Sequence, residues 1–184
     1  YLACGLVASD ALFRKRSGLI RVWLGLTGGL LMMMWFPVLF AFAMTFCVAA
    51  QWLGLGLAAL VAGVCFWSRR HLRRADGPFC GNMPAWLPIV LVVPLTALSG
   101  YLQFTHILRD VDGALHVGQS TYGDLCLHLG IITSLRDAAF PPTYSILPGA
   151  TLSYPYLTDS MSTSMLLLGM DLRMAVIVPG TLMM

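Results

Sequence analysis

"VWLGLTGGLLMMMWFPVLFAFAMTFCVAAQWLGLGLAALVAGVCFWS", residues 22–68, contains no charged residue. A bilayer core about 30 Å thick is crossed by about 20 apolar residues of helix. The stretch is therefore long enough for two spans joined by a tight turn, placed near "CVAAQ" at 47–51. This gives spans at about 22–46 and 50–68. The composition of the whole chain agrees. Hydrophobic residues make up 58%, charged residues 10%, and the mean hydropathy is +0.80. Soluble domains carry about 25% charged residues. The class expected is an all-α integral membrane protein with polytopic transmembrane helices, and no nucleic-acid partner.

Working outward, residues 1–13 look like the tail of another helix, and the chain like a piece of a longer protein. A further apolar run covers about 83–104, and one more begins near Leu172. The organisation expected is an N-terminal transmembrane part at 1–104, a polar segment at 105–171, and the start of a span at 172–184. Eight of the eleven basic residues fall in two short segments, 14–21 and 69–74. Basic residues flanking spans stay on the cytoplasmic side. With two spans between them, both segments lie on one side, and 105–171 becomes an extracytoplasmic loop. Pro37, Pro88, Pro94 and Pro179 fall within apolar runs, where neighbouring helices satisfy the freed carbonyls. The five cysteines, Cys4, Cys47, Cys65, Cys80 and Cys126, form no CxxC pair, so neither a zinc site nor a disulfide framework is indicated.

The polar segment opens with "THILRDVDGALHVGQ", 105–119. Asp112-Gly113 between alternating residues predicts a hairpin at about 106–118, because a type I′ turn needs positive φ at both central positions. Asp110 and Asp112 fit a turn better than a metal site. "STYGDLCLHLGIITSLRDAAFPP" follows at 120–142. Thr121 and Asp124 have capping-box spacing, and a helix of about 124–138 ends at the prolines. Asp124 and His128 share a face of that helix, while Leu125, Leu129 and Ile132 line another. Asp124 fits either a helix-start anion, favoured by the dipole, or a catalytic carboxylate. Residues 141–155 hold four prolines and read as a stiff loop. Tyr144, Tyr154 and Tyr156 are rings of the kind that sit at lipid headgroups. "YLTDSMSTSMLLLG", 156–169, predicts an amphipathic helix lying flat on the outer surface. Leu157, Met161, Met165 and Leu168 would face lipid, with Thr158, Asp159, Ser162 and Thr163 facing water. The loop is thus expected to hold a short hairpin and two membrane-surface helices.

The order of "YGDLCLHL", "YPYL" and "LRMAVIVPG" over about 85–184 resembles the polytopic glycosyltransferases of the GT-C superfamily, closest to uncharacterised bacterial members. Asp124 is followed by Leu125 where that family often has an acidic pair, and Tyr156 stands where its "YPPL" motif has a second proline. The resemblance implies transfer of a sugar from a polyprenyl-phosphate-linked donor to an acceptor on the extracytoplasmic side of a bacterial plasma membrane, in building the cell envelope. Asp124 would then act as general base on the acceptor or help hold a divalent metal. His128, Arg109 and Tyr154 are candidate substrate-binding residues. His128 would orient Asp124 or bind phosphate, or is a satisfied interfacial histidine. Arg109 would meet the anionic headgroup, and Arg136, beside Asp137, reads as a solvated charge. The partners implied are membrane lipid and the lipid-phosphate-linked donor. Two readings from other classes stand beside it: a transporter or lipid flippase, and a non-catalytic membrane protein with a GT-C-like fold.

Overall fold

A computed structural model describes residues 1–14, 16–69, 84, 86–118 and 122–183. Thr121, Cys80 and the basic residues Lys15, Arg70, Arg73 and Arg74 lie outside them. The elements are α1 (Leu2–Leu12), α2 (Gly18–Ala41), α3 (Val48–Ser68), α4 (Trp86–His106), β1 (Arg109–Val111), β2 (Ala114–His116), α5 (Tyr122–Ser134), α6 (Leu157–Leu167) and α7 (Leu172–Leu182). Among the described residues three helices are long and apolar enough to cross a membrane: α2, α3 and Ile89–His106 within α4. The protein is a mainly helical membrane protein.

Helices α1, α2 and α3 pack on one another through small residues. Gly25 and Gly29, four apart, let the backbone of α1 come against α2 at Gly5. A Cβ on Gly29 would stand 2.7 Å from the Cα of Leu2, and one on Gly25 2.8 Å from that of Leu6. Where lipid is as apolar as the side chains, such close backbone contact is what holds helices together. Gly54 of α3 plays the same part against Pro37 of α2, with 2.8 Å between its notional Cβ and the proline nitrogen. Helix α2 begins at Gly18, so Arg21 lies inside it. Its guanidinium pairs with Asp10, and its carbonyl accepts from the Ser9 hydroxyl at 2.7 Å.

The chain turns between α2 and α3 at 42–47, slightly ahead of the expected site. This turn is docked onto the polar segment. Phe46 N donates to the carbonyl of Ala138 at 2.8 Å, and Asp137 N to that of Phe46 at 3.1 Å. The same pairing ends α5 at Ser134 rather than near 138. Asp137 takes φ 57 and the next residues run extended against the turn, so a tertiary hydrogen-bond pair overrides local helix preference. Phe140 closes the junction. Its ring lies 5.4 Å from Phe42, 5.7 Å from Phe46 and 5.9 Å from Tyr156. The α2–α3 turn and the polar segment therefore share one end of the molecule, and Ser17, which caps the start of α2, lies at the other end of that helix.

The hairpin forms with Arg109 opposite His116 and Val111 opposite Ala114. Asp112 and Gly113 have φ 54 and 79, and Asp110 accepts from Gly113 N at 3.1 Å. Residues 141–155 are tied by a bridge between Thr143 and Thr151. Tyr144 and Tyr156 pack against Ile131, Leu135 and Leu152 rather than standing free as headgroup anchors.

Helix α6 departs most from expectation. It packs on α2, α3, α5 and α7, and everything from Asp159 to Met165 is buried. Met161 and Met165 meet protein, not lipid, and Asp159, Ser162 and Thr163 do not face water. Small hydroxyls make this polar side buriable. Thr163 donates to the carbonyls of Ile132 and Asp159, and Ser164 to that of Ser160. A buried polar group with its hydrogen bond made loses little on leaving water.

Candidate functional site

Two polar arrangements lie outside the three spanning helices' packed faces. The first joins α5 to α6. His128, on the second turn of α5, places Nδ1 3.0 and 3.1 Å from the two oxygens of Asp159, on the first turn of α6. The Asp159 residue is 5% exposed, whereas the His128 side chain is 32% exposed. Burial pushes the Asp159 carboxyl above the usual carboxylate range, and the hydrogen bond and charge of His128 pull against that rise. Tyr154 lays its ring edge-on to the imidazole, with centroids 5.8 Å apart. Thr163 hydrogen-bonds back to α5, so both helices that carry the pair are fixed to each other.

The second is a cleft of about 920 Å³ between the end of α4, the hairpin and the start of α7. Arg109, Arg173, His106 and His116 line it, with Tyr101 and Phe104 below and Asp110 at its side. Arg173 is held firmly. Its Nε donates to the carbonyl of Leu108 at 2.9 Å and one terminal nitrogen to that of Phe104 at 3.1 Å. Asp171 caps α7 by accepting from Met174 N at 3.0 Å. Thr181 meets Gly100 while Arg173 meets Phe104, so α7 runs antiparallel to α4. Arg109 is exposed on β1 and lines the cleft. A planar guanidinium suits the bidentate recognition of phosphate or carboxylate.

Asp124 sits in the first turn of α5, exposed, one helical turn before His128. Its side chain has no partner among the described residues. The structure thus brings His128 and Tyr154 together, puts Arg109 in the separate cleft, and leaves Asp124 at the open mouth of α5. Arg136 pairs with its exposed neighbour Asp137 at 3.8 Å. Among the described residues no three His, Cys, Asp or Glu side chains are grouped to hold a metal ion. The divalent metal that the resemblance allows has no ready ligand set there.

Asp159 and Arg173 are the functional candidates that sequence reasoning passed over. The signal for Asp159 was the run of small polar residues around it, Ser160, Ser162, Thr163 and Ser164, which permits close helix packing and buries the one carboxylate among them. Nothing local marks its partner, which is 31 positions away. No family model, no curated protein and no solved structure matches this chain.

Proposed function

We propose that the protein is a membrane glycosyltransferase that takes a sugar from a polyprenyl-phosphate-linked donor on the extracytoplasmic side of a bacterial plasma membrane. The observation that carries this reading is the cleft at the end of α4. Two arginines and two histidines converge where an 18-residue apolar helix stops. The outer side of that helix is bare, with Leu91, Leu95, Leu98 and Leu102 all exposed. A prenyl chain lies along such a surface, and its phosphate then meets Arg109 at the level where apolar residues give way to polar ones. Arg173, already bonded to two carbonyls, stiffens the wall of the cleft and adds positive charge to it.

Asp124 is the group assigned to the acceptor. It is exposed, has no side-chain partner among the described residues, and accepts a hydrogen bond from the attacking hydroxyl. An unengaged carboxylate at a helix start also fits a role in dipole neutralisation, so the two must be separated by experiment. The protein is assayed in membranes for transfer from polyprenyl-phosphate sugars, beside the Asp124→Asn variant and its melting temperature. Loss of a catalytic carboxylate slows transfer by about a hundredfold or more. Loss of a helix-start charge alone costs about 1 kcal/mol or less and leaves the rate intact. A normal rate for Asp124→Asn removes the assignment. Binding of the lipid without transfer of any sugar by the unmutated protein favours a lipid flippase.

A further inference from the structure

The carboxylate with a built environment is Asp159, and it faces an imidazole. We infer that Asp159 and His128 form a proton-accepting dyad, in which Asp159 is the positioning residue and His128 Nε2 is the base. The geometry gives the first half. Both Asp159 oxygens lie within hydrogen-bond distance of Nδ1; an ionised carboxylate can only accept, so with Asp159 charged the proton of the pair sits on Nδ1. In the neutral ring this fixes the tautomer and puts the lone pair on Nε2. Exposure gives the second half. The carboxylate is buried while the imidazole side chain is 32% exposed, and among the described residues Nε2 has no hydrogen-bond partner. Nε2 is then the ring nitrogen left for a substrate, and His128 shares a helical face with the exposed Asp124 one turn earlier. Tyr154, edge-on to the ring, restricts its swing.

A latch that merely ties α5 to α6 does not need this arrangement. Thr163 already bonds α6 to the carbonyl of Ile132 on α5, and Met161 and Ile132 are buried there. A half-open imidazole backed by a desolvated carboxylate is costly to keep for packing alone.

The dyad rests on the glycosyl-transfer reading for its substrate, and supplies that reading with its base. The donor sugar, with its phosphate at Arg109 in the cleft, must reach from there to the open side of α5, where the acceptor hydroxyl held by Asp124 attacks its anomeric carbon. A new carbon–oxygen bond forms, and the bond from that carbon to the phosphate oxygen breaks. The electron pair leaves on the lipid phosphate. The hydroxyl proton passes to His128 Nε2, and Asp159 balances the resulting imidazolium.

Two measurements on the protein in detergent or membranes test this. The first is ring-¹⁵N spectroscopy of labelled histidine, with the His128 signal identified by its loss in His128→Gln. The neutral ring is expected as the Nδ1–H tautomer in the unmutated protein and with a larger share of the Nε2–H tautomer in Asp159→Asn, whose amide can donate to Nδ1 as well as accept from it. An Nε2–H tautomer in the unmutated protein, which needs no variant to fold, overturns the dyad. The second is the transfer assay. His128→Gln and Asp159→Asn are expected to lower kcat about a hundredfold or more with KM little changed, while the melting temperature stays near that of the unmutated protein. Full kcat in His128→Gln overturns the base assignment. If the unmutated protein transfers no sugar from any polyprenyl-phosphate donor, the proposed function and the base role built on it both fall. The tautomer measurement then decides the positioning contact by itself.

Discussion

Helices α4 and α6 are opposites in sequence and in setting. Helix α4 is built of Trp, Leu, Ile and Val, and nearly all of its large side chains are exposed, Leu95 at 63%. Helix α6 is the polar one, "LTDSMSTSMLL", and is the most enclosed helix among the described residues. In water this distribution would be upside down. In a bilayer it is expected, because lipid supplies an apolar surrounding for the large side chains. What the protein must bring together is whatever lipid cannot satisfy: backbone, hydroxyl, carboxylate and imidazole. Hydrophobicity in this chain marks the outside. Small size and hydrogen-bonding capacity mark the inside.

Four substitutions probe that contrast. The largest effect is expected at Phe46, fully buried where the α2–α3 turn meets Ala138 and Phe140. Phe46→Ala should cost about 3–5 kcal/mol, read as a large fall in melting temperature and as loosening of residues 137–140 in hydrogen exchange. A fall no greater than that of a surface change would mean that the polar segment is not anchored on this turn.

Next is Gly5→Val, which forces a branched side chain between α1 and the Gly25–Gly29 backbone. Overpacking of this kind costs about 1–3 kcal/mol, and the larger end applies because backbone must move. Full stability of Gly5→Val would refute the close α1–α2 contact.

The third concerns pH. The folded-state carboxyl of Asp159 binds its proton more readily than the ordinary value of 3.8 implies. Its stabilising contribution is therefore present at low pH and is lost as pH rises through the raised value. Relative to Asp159→Asn, the unmutated protein should gain in melting temperature as pH is lowered from neutral. At neutral pH the variant should be at least as stable. Melting temperatures of the two across pH 4–8 check the sign, and a relative gain of the unmutated protein with rising pH would contradict the burial of this carboxylate.

The smallest effect belongs to Trp67, 84% exposed on α3. Trp67→Leu should change stability by about 0.5 kcal/mol or less, whereas a change like that at Phe46 would show that this face is packed against protein.

The same contrast explains what the sequence disclosed. The spans could be read because absence of charge over 22–68 is a long-range signal that one local contact cannot alter. The hairpin could be read because Asp112-Gly113 states its own backbone requirement. The end of α5 could not, since it depends on Phe46, about ninety positions earlier in the chain, offering its backbone to Asp137 and Ala138. The orientation of α6 was misread for a different reason. Assigning its polar side to water assumes that polar means exposed, and the hydroxyls of Thr163 and Ser164 remove that assumption by bonding to carbonyls within the protein. Of the site, Asp124, His128, Arg109 and Tyr154 could each be named as residue types in a polar segment. The pairing of His128 with Asp159, and the partnership of Arg109 with Arg173 in one cleft, are products of tertiary folding.

The central claim is that an anionic lipid head binds where α4 ends. Its most direct test is the affinity of the protein in nanodiscs for polyprenyl phosphate, set against uncharged polyprenol of the same length and against Arg109→Gln. Hydrogen bonds to charged groups contribute about 1.5–3 kcal/mol. Polyprenyl phosphate should therefore bind at least about tenfold more tightly than polyprenol, and Arg109→Gln should remove most of that difference without changing polyprenol binding. Equal affinity for the two lipids, or an undiminished preference for the phosphate in Arg109→Gln, would contradict the account.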